Sequence, residues 1–276
     1  MRDAANETAI RFPVILLPRG GYVAVLMEAY MDESRPKEGA SPYIAVGGYL
    51  FSKKEAETLS LQWSKYLAEK GLDYFRMSEC ATGNGQFDGW AAKDRIAVQT
   101  TFIQRIKQRS ALGFSVSVDE EEHDRLFGDY VFGTYGAPPS AYGLSCFACL
   151  NLIKNWADRQ GYAGDIAYLF EAGDPDKPDA HRFLDWTMGD KQRQKDYRYA
   201  GHSFALKEKV PLLQTGDLVS WHTVKHCVNQ REGRTLRKDL KELIRPGDMT
   251  LHADKEFLRG MRDEMAARGN IRLKNS

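Results

Sequence analysis

The feature that most constrains this chain is the stretch Leu213-Gln214-Thr215-Gly216-Asp217-Leu218-Val219-Ser220-Trp221, in its last third. Counting helical offsets from Leu213 gives an apolar stripe through Trp221, Val224 and Val228, and Asp217 falls inside it. A carboxylate on the packed face of a helix needs a metal, another cation or a proton to offset its burial. Whatever fold holds this helix must bring that compensation to position 217. A hydrogen-bonded structural acid is the plain reading; a ligand acid is the functional one.

With 276 residues, 42% hydrophobic and 28% charged, the chain can bury a full core as one large domain or two small ones. Its formal net charge of +1 supplies no global field for nucleic acid or membrane, so such binding must come from local patches. No apolar run is long enough to span a membrane. Phe12 to Pro18 is too short and too broken by prolines for a signal-peptide core. A cytoplasmic, reducing location is expected. Cys80, Cys146, Cys149 and Cys227 are too scattered for a disulfide scaffold. Cys146 and Cys149 have C-x-x-C spacing, but inside the apolar run from Ala141 to Ile153 they read as core thiols before a redox or zinc pair.

Residues 1–21, with Pro13, Pro18, Gly20 and Gly21, are set apart as an N-terminal arm outside the fold, and 22–276 form a single domain. Tyr22 to Met31 reads as a buried strand stopped by Asp32-Glu33-Ser34. After a polar turn, Tyr43 to Phe51 returns as its antiparallel partner, with Gly47-Gly48 marking a bulge or a close backbone approach. A helix runs from an N-cap at Ser52 to Gly71, then a loop covers 72–92. A helix over Lys93–Arg109 precedes a strand from Ala111 to Val118, and Asp119 caps a short acidic helix. Further helices are expected at Ala141–Gln160, Ala180–Met188, Thr235–Ile244 and Lys255–Arg268, with strands at Ile166–Phe170 and Ser203–Leu206. Strands interleaved with helices and opening on a hairpin indicate an α/β fold with a mixed sheet.

Asp32 and Glu171 each close a strand that is otherwise apolar. If those strands are parallel neighbours, their ends lie about 4.8 Å apart, close enough for both acids to touch one ion. Asp217, from a helix packed across the same end, completes the set. Such acids push up each other's pKa unless a cation joins them, and Mg²⁺ or Mn²⁺ is the hard ion that suits carboxylates. Lysine or arginine partners of their own would undo that logic. Glu28 shares a face with Asp32 but lies about 13 Å away along the strand, too far to share an ion. Glu33 faces the other side if the strand continues, and joins only if the chain turns.

With those residues in hand, the chain resembles the DUF3800 family, whose members resemble the ribonuclease H-like superfamily. The likeness rests on Tyr30-Met31-Asp32-Glu33-Ser34, Ala45-Val46-Gly47-Gly48, Phe170-Glu171-Ala172-Gly173-Asp174 and Leu213-Gln214-Thr215-Gly216-Asp217-Leu218, and spans residues 22–228. Glu79, in Arg76-Met77-Ser78-Glu79, fits a fourth position. The resemblance implies a ribonuclease H-like mixed sheet flanked by helices, with helical insertions and C-terminal helices. It implies a metal-dependent nuclease or related phosphoryl-transfer enzyme, acting on DNA or RNA. Asp32, Glu171 and Asp217 would ligate the metal in the catalytic site, Glu79 would be an auxiliary ligand there, and Asp174 would support or replace a ligand.

His202 precedes the expected last strand and is a candidate general base. His222 and His226, four apart, read as a surface pair before a zinc site, because no Glu follows the first in the zinc-protease manner. Two basic groups could hold phosphates: Arg182, Lys191, Arg193, Lys195 and Arg198, interleaved with Tyr197 and Tyr199, and Arg231, Arg234, Arg237, Lys238 and Lys241. Solvated helix surface explains both equally simply. There is no Gly-x-Ser-x-Gly elbow and no phosphate-binding Gly-Lys loop. The expected activity is therefore metal-dependent phosphodiester cleavage. The alternatives are a non-catalytic interaction protein of the same fold and a hydrolase of a small phosphorylated molecule.

Overall fold

The hairpin expected from the sequence is the centre of the sheet: β1 (Val25–Ser34) pairs antiparallel with β2 (Tyr43–Ser52). The computed structural model describes residues 25–36, 41–135, 138–235 and 238–274. The N-terminal arm, residues 1–21, lies outside them. On one side β2 pairs antiparallel with β3 (Leu112–Asp119), which takes β7 (Met249–Ala253) in parallel at the edge. On the other, β1 pairs in parallel with β5 (Asp165–Glu171), and β5 with β6 (Tyr199–Ala205). The order β6-β5-β1-β2-β3-β7 is a mixed six-stranded sheet flanked by helices, consistent with the ribonuclease H-like arrangement. β4 (Tyr130–Phe132) and β8 (Ile271–Leu273) form a separate two-stranded ribbon.

Side chains alternate across strands with a period of two, and here both faces are covered. Ala29, Met31, Val46, Val116, Tyr168 and Phe170 point to one face, where α5 (Ala141–Gln160) packs. With it lie α4 (Glu120–Phe127), α6 (Lys177–Met188), the short α7 (Lys191–Asp196) and α10 (Lys255–Ala267). Tyr30, Tyr49, Phe51, Ala167 and Leu169 point to the other. That face is covered by α1 (Lys53–Lys70), α3 (Ala92–Arg109), α8 (Leu213–Arg231) and α9 (Lys238–Leu243). Among the described residues no helix is long and apolar enough to cross a membrane.

The local signals explain the element ends. The Ser52 hydroxyl accepts from the Glu55 N–H and Gly71 closes α1 in the left-handed region at φ 70°. Asp119 caps α4 through the Glu122 N–H. The expected loop at 72–92 instead holds a one-and-a-half-turn helix, α2 (Met77–Thr82), and a 3-10 turn at Gly85–Phe87. These turns bury Met77, Cys80 and Phe87, which were too few apolar positions for a visible period. Ser203–Leu206 is not the last strand: β7 follows it, alternating and half-exposed at the sheet edge.

The face that α8 presents to the sheet also differs from the expected stripe. Gly216 sits against Asp32 and Gly47, Val219 against Gly47, Thr223 against Ser115, and Cys227 against Ser117. Trp221 and Val228 are only half-buried. Small residues form the true packing face because they let helix and sheet backbones close up. A Cβ added at Gly216 would lie 2.4 Å from the Asp32 nitrogen and 2.8 Å from the Gly47 oxygen. Gly216→Ala should therefore cost about 1–3 kcal/mol or more in urea unfolding. Gly260→Ala, in α10 with open space around it, should be neutral or stabilise by up to about 1 kcal/mol. Equal effects at both positions would contradict the close approach.

Candidate functional site

β1 and β5 run parallel in register, Met31 beside Phe170, so Asp32 and Glu171 follow side by side at the end of the sheet. Both are buried, and both lie on the face covered by α8. α8 brings Asp217, also buried, to the same end. The three sequence-expected acids thus reach one end of the sheet, but Asp32 and Asp217 meet through a lysine. Lys207 Nζ donates to Asp32 Oδ2 at 2.7 Å and to Asp217 Oδ1 at 3.0 Å, with 7% of its side chain exposed. Asp217 Oδ2 accepts the Met77 N–H at 2.5 Å, tying α2 to the site.

Glu33 joins the set from the opposite face. β1 continues to Ser34, so Glu33 does point away from α8, yet its longer side chain reaches the end of β5. Donor atoms of Asp32, Glu33 and Glu171 lie within 4.8 Å of one another. Glu171 Oε2 accepts the Gly173 N–H, and Asp32 Oδ1 accepts the Glu33 N–H at 2.8 Å. Glu33 Oε2 is buried with no hydrogen-bond partner. An oxygen in that state marks a place where a cation or a proton belongs.

The electrostatics follow from this crowding. Burial, opposed by Lys207 and reinforced by Glu33 and Asp217, holds the Asp32 carboxyl well above the usual range. Burial and then Glu171 push Glu33 up to about 7. Burial works against the Lys207 ammonium, but Asp217 and Asp32 outweigh it and hold its pKa above that of an ordinary lysine. Asp174 is buried beside the cluster, its Oδ1 accepting the Asp176 N–H at 2.8 Å. Arg35 lies 3.7 Å from it while pairing with Asp176 and Glu120 at 3.0 Å each. Glu28, whose carboxylate accepts from Tyr30 Oη at 2.6 Å, stays apart as a core acid.

Two expected participants, Glu79 and His202, are elsewhere. Glu79 turns its carboxylate to Tyr74 Oη and the Gln86 N–H, both at 3.2 Å, and to Arg76. His202 lies on the other face of the sheet, against Phe170, and cannot act as a base at the acids. Burial holds its pKa down at about 4. His222 is buried rather than a surface residue, its Nε2 3.1 Å from Gln99 Nε2. Of the basic groups, Arg198 is tied to Asp158 and Tyr162 at the opposite end of β5 and β6 from the acids. Arg182 is tied to Asp179, and Arg237 and the Lys238 side chain fall outside the described residues.

Two residues that the sequence reading left without a role hold the site together. Lys207 sits in the run Leu206-Lys207-Glu208-Lys209, which looks like solvated surface. Gln214 accepts from Trp63 Nε1 and the Phe75 N–H and donates to the Lys207 carbonyl, each at 2.8 Å. It clamps the segments before α2 and α8 around the acids. Its place in Leu-Gln-x-x-Asp-Leu was the available signal. Neither the scan of family models nor the search of curated proteins matched this chain.

Removing the lysine should leave two buried carboxylates without their cation. Lys207→Met is expected to lose about 3–5 kcal/mol in metal-free urea unfolding at neutral pH; a loss below about 1 kcal/mol would contradict the buried pairing. Glu33 supplies a second check. A carboxyl whose folded pKa of about 7 exceeds its ordinary 4.5 stabilises the fold fully below 4.5 and loses that contribution as pH rises through 7. In a chelator-containing buffer, stability should fall by about 3 kcal/mol across that window. Glu33→Gln should remove much of the slope; an unchanged slope would assign it to other groups.

Proposed function

We propose that this chain is a divalent-metal-dependent nuclease that cleaves DNA or RNA phosphodiesters, with Asp32, Glu33 and Glu171 as ligands for Mg²⁺ or Mn²⁺. The observation that carries the reading is the buried, unpartnered Glu33 Oε2 inside a three-carboxylate cluster. Oxygens bound to one Mg²⁺ lie up to about 4.2 Å apart, close to the spacing of this set. A bound ion of this kind polarises a phosphoryl oxygen and lowers the pKa of its water. Around it, Lys207 offsets Asp32 and Asp217, and Asp217 fixes α2 through the Met77 N–H. Asp174 flanks the cluster and Glu79 takes no ligand role.

The motif resemblance to the DUF3800 family supports the same class of chemistry. Lys177, against the Phe204 ring, and the exposed Lys209 offer cations to a phosphate backbone near the acid end of the sheet. Four buried, unpaired cysteines support a cytoplasmic site of action.

A second reading rests on Lys207. An ammonium already bridging Asp32 and Asp217 suits a non-catalytic interaction protein whose acids are structural. Calorimetric titration with Mn²⁺ and Mn²⁺-dependent cleavage of single-stranded DNA, duplex DNA and RNA separate the two. Glu33→Gln should weaken Mn²⁺ binding about tenfold or more and abolish cleavage. Asp217→Asn should abolish cleavage while circular dichroism stays unchanged. A wild-type chain that binds no Mn²⁺ and cuts none of these substrates leaves the interaction reading standing.

A further inference from the structure

We propose a second metal site, on the opposite face of the sheet, in which His181, Asp185 and His202 bind a transition ion of the Zn²⁺ class. His181 and Asp185 stand one turn apart on α6, and His202 rises from edge strand β6 beneath them. Donor atoms of the three residues lie within 4.8 Å of one another.

The His202 side chain is 2% exposed and packed against the Phe170 and Phe204 rings, so its direction is fixed. Its Nδ1 is engaged by Tyr199 Oη, which leaves Nε2 facing His181 and Asp185. A ligating histidine is held in the same way, with one ring nitrogen occupied by a neighbour and the other presented to the ion.

Nδ1 of His181 lies 2.7 Å from His202 Nε2. That is hydrogen-bond distance between two ring nitrogens. Asp185 comes no closer than 3.7 Å to either ring, through Oδ1 to His202 Nε2 and Oδ2 to His181 Nε2. That separation is too long for a hydrogen bond. It fits a nitrogen and an oxygen on one ion, which sit roughly 3.3 Å apart at a tetrahedral angle and nearer 4 Å as the angle opens. Among the described residues, the ion pairs of Asp185 are with these two histidines and with no lysine or arginine. Binding exchanges the His–His hydrogen bond for two bonds to the ion. His181, 53% exposed, has room to turn, and the solvent side leaves a position for water.

Two imidazoles select Zn²⁺, Co²⁺ or Ni²⁺ over Mg²⁺. The site therefore differs in ion class from the carboxylate cluster and stands or falls independently of it. The test is a visible-absorption titration of the metal-free full chain with Co²⁺. A d–d band saturating at one equivalent is expected, displaced by Zn²⁺ but not by excess Mg²⁺. His181→Ala and Asp185→Ala, both at exposed positions that leave folding intact, should each weaken Co²⁺ binding about tenfold or more. Glu33→Gln should leave it unchanged. Equal Co²⁺ binding in wild type and both variants, or no band at saturating Co²⁺, overturns the site.

Discussion

The close approach of α8 to the central hairpin is the constraint on which the rest of the structure depends. Gly216 meets the Asp32 nitrogen and the Gly47 oxygen where a methyl group would not fit, and Gly47 returns the favour to Val219. With larger residues there, the helix would ride higher and Asp217 would lie in solvent beyond the strand ends. Instead its carboxylate is buried beside Asp32, and the Lys207 segment folds back beneath it. Gln214, two residues before Gly216, then ties that segment and Phe75 to the same helix turn. One backbone contact thus fixes the positions of an acid, its cation and the clamp that holds both.

Burial makes that arrangement expensive unless the charges close. Each ion taken from water costs several kcal/mol, so four neighbouring carboxylates facing a single ammonium are poorly compensated. Lys207 serves Asp32 and Asp217, and the Gly173 N–H serves Glu171. Glu33 Oε2 receives nothing. A proton on Glu33 removes one negative charge; a divalent ion offsets two and engages Asp32 and Glu171 as well. The second solution would satisfy more of the cluster's oxygens, which is the physical ground for proposing an ion there.

The fold was legible where local chemistry is strong. Ser52 and Gly71 bracket α1, and α5 runs over Ala141–Gln160 as its small and apolar run suggests. The candidate site was legible only through residues whose position was itself unusual: an acid in an apolar helix and acids closing apolar strands. Glu33 was not, because strand alternation gives direction and not reach, and a glutamate at a strand end can curl over the neighbour. Lys207 was not, because a buried lysine in a charged run has the same sequence as an exposed one. The α8 stripe through Trp221 and Val228 failed for a related reason: hydrophobicity marks burial, but close packing selects small residues, and Gly216, Ser220 and Thr223 carry no apolar signal.

Alternation also explains how one sheet holds two kinds of donor set. Along β5 and β6, Ala167, Leu169 and Ala205 face α8, whereas Tyr168, Phe170 and Phe204 face α5 and α6. Glu171 falls in the first series and His202 in the second. A shift of one residue in β6 would have turned His202 toward the acids, as the sequence reading supposed. Its actual register pairs His202 with Tyr168 and Ala205 with Glu171, so imidazole stays with imidazole and carboxylate with carboxylate. The two donor sets thereby lie mainly on opposite faces of the sheet, and Glu33, reaching round the strand end, crosses from the α5 side to the acids.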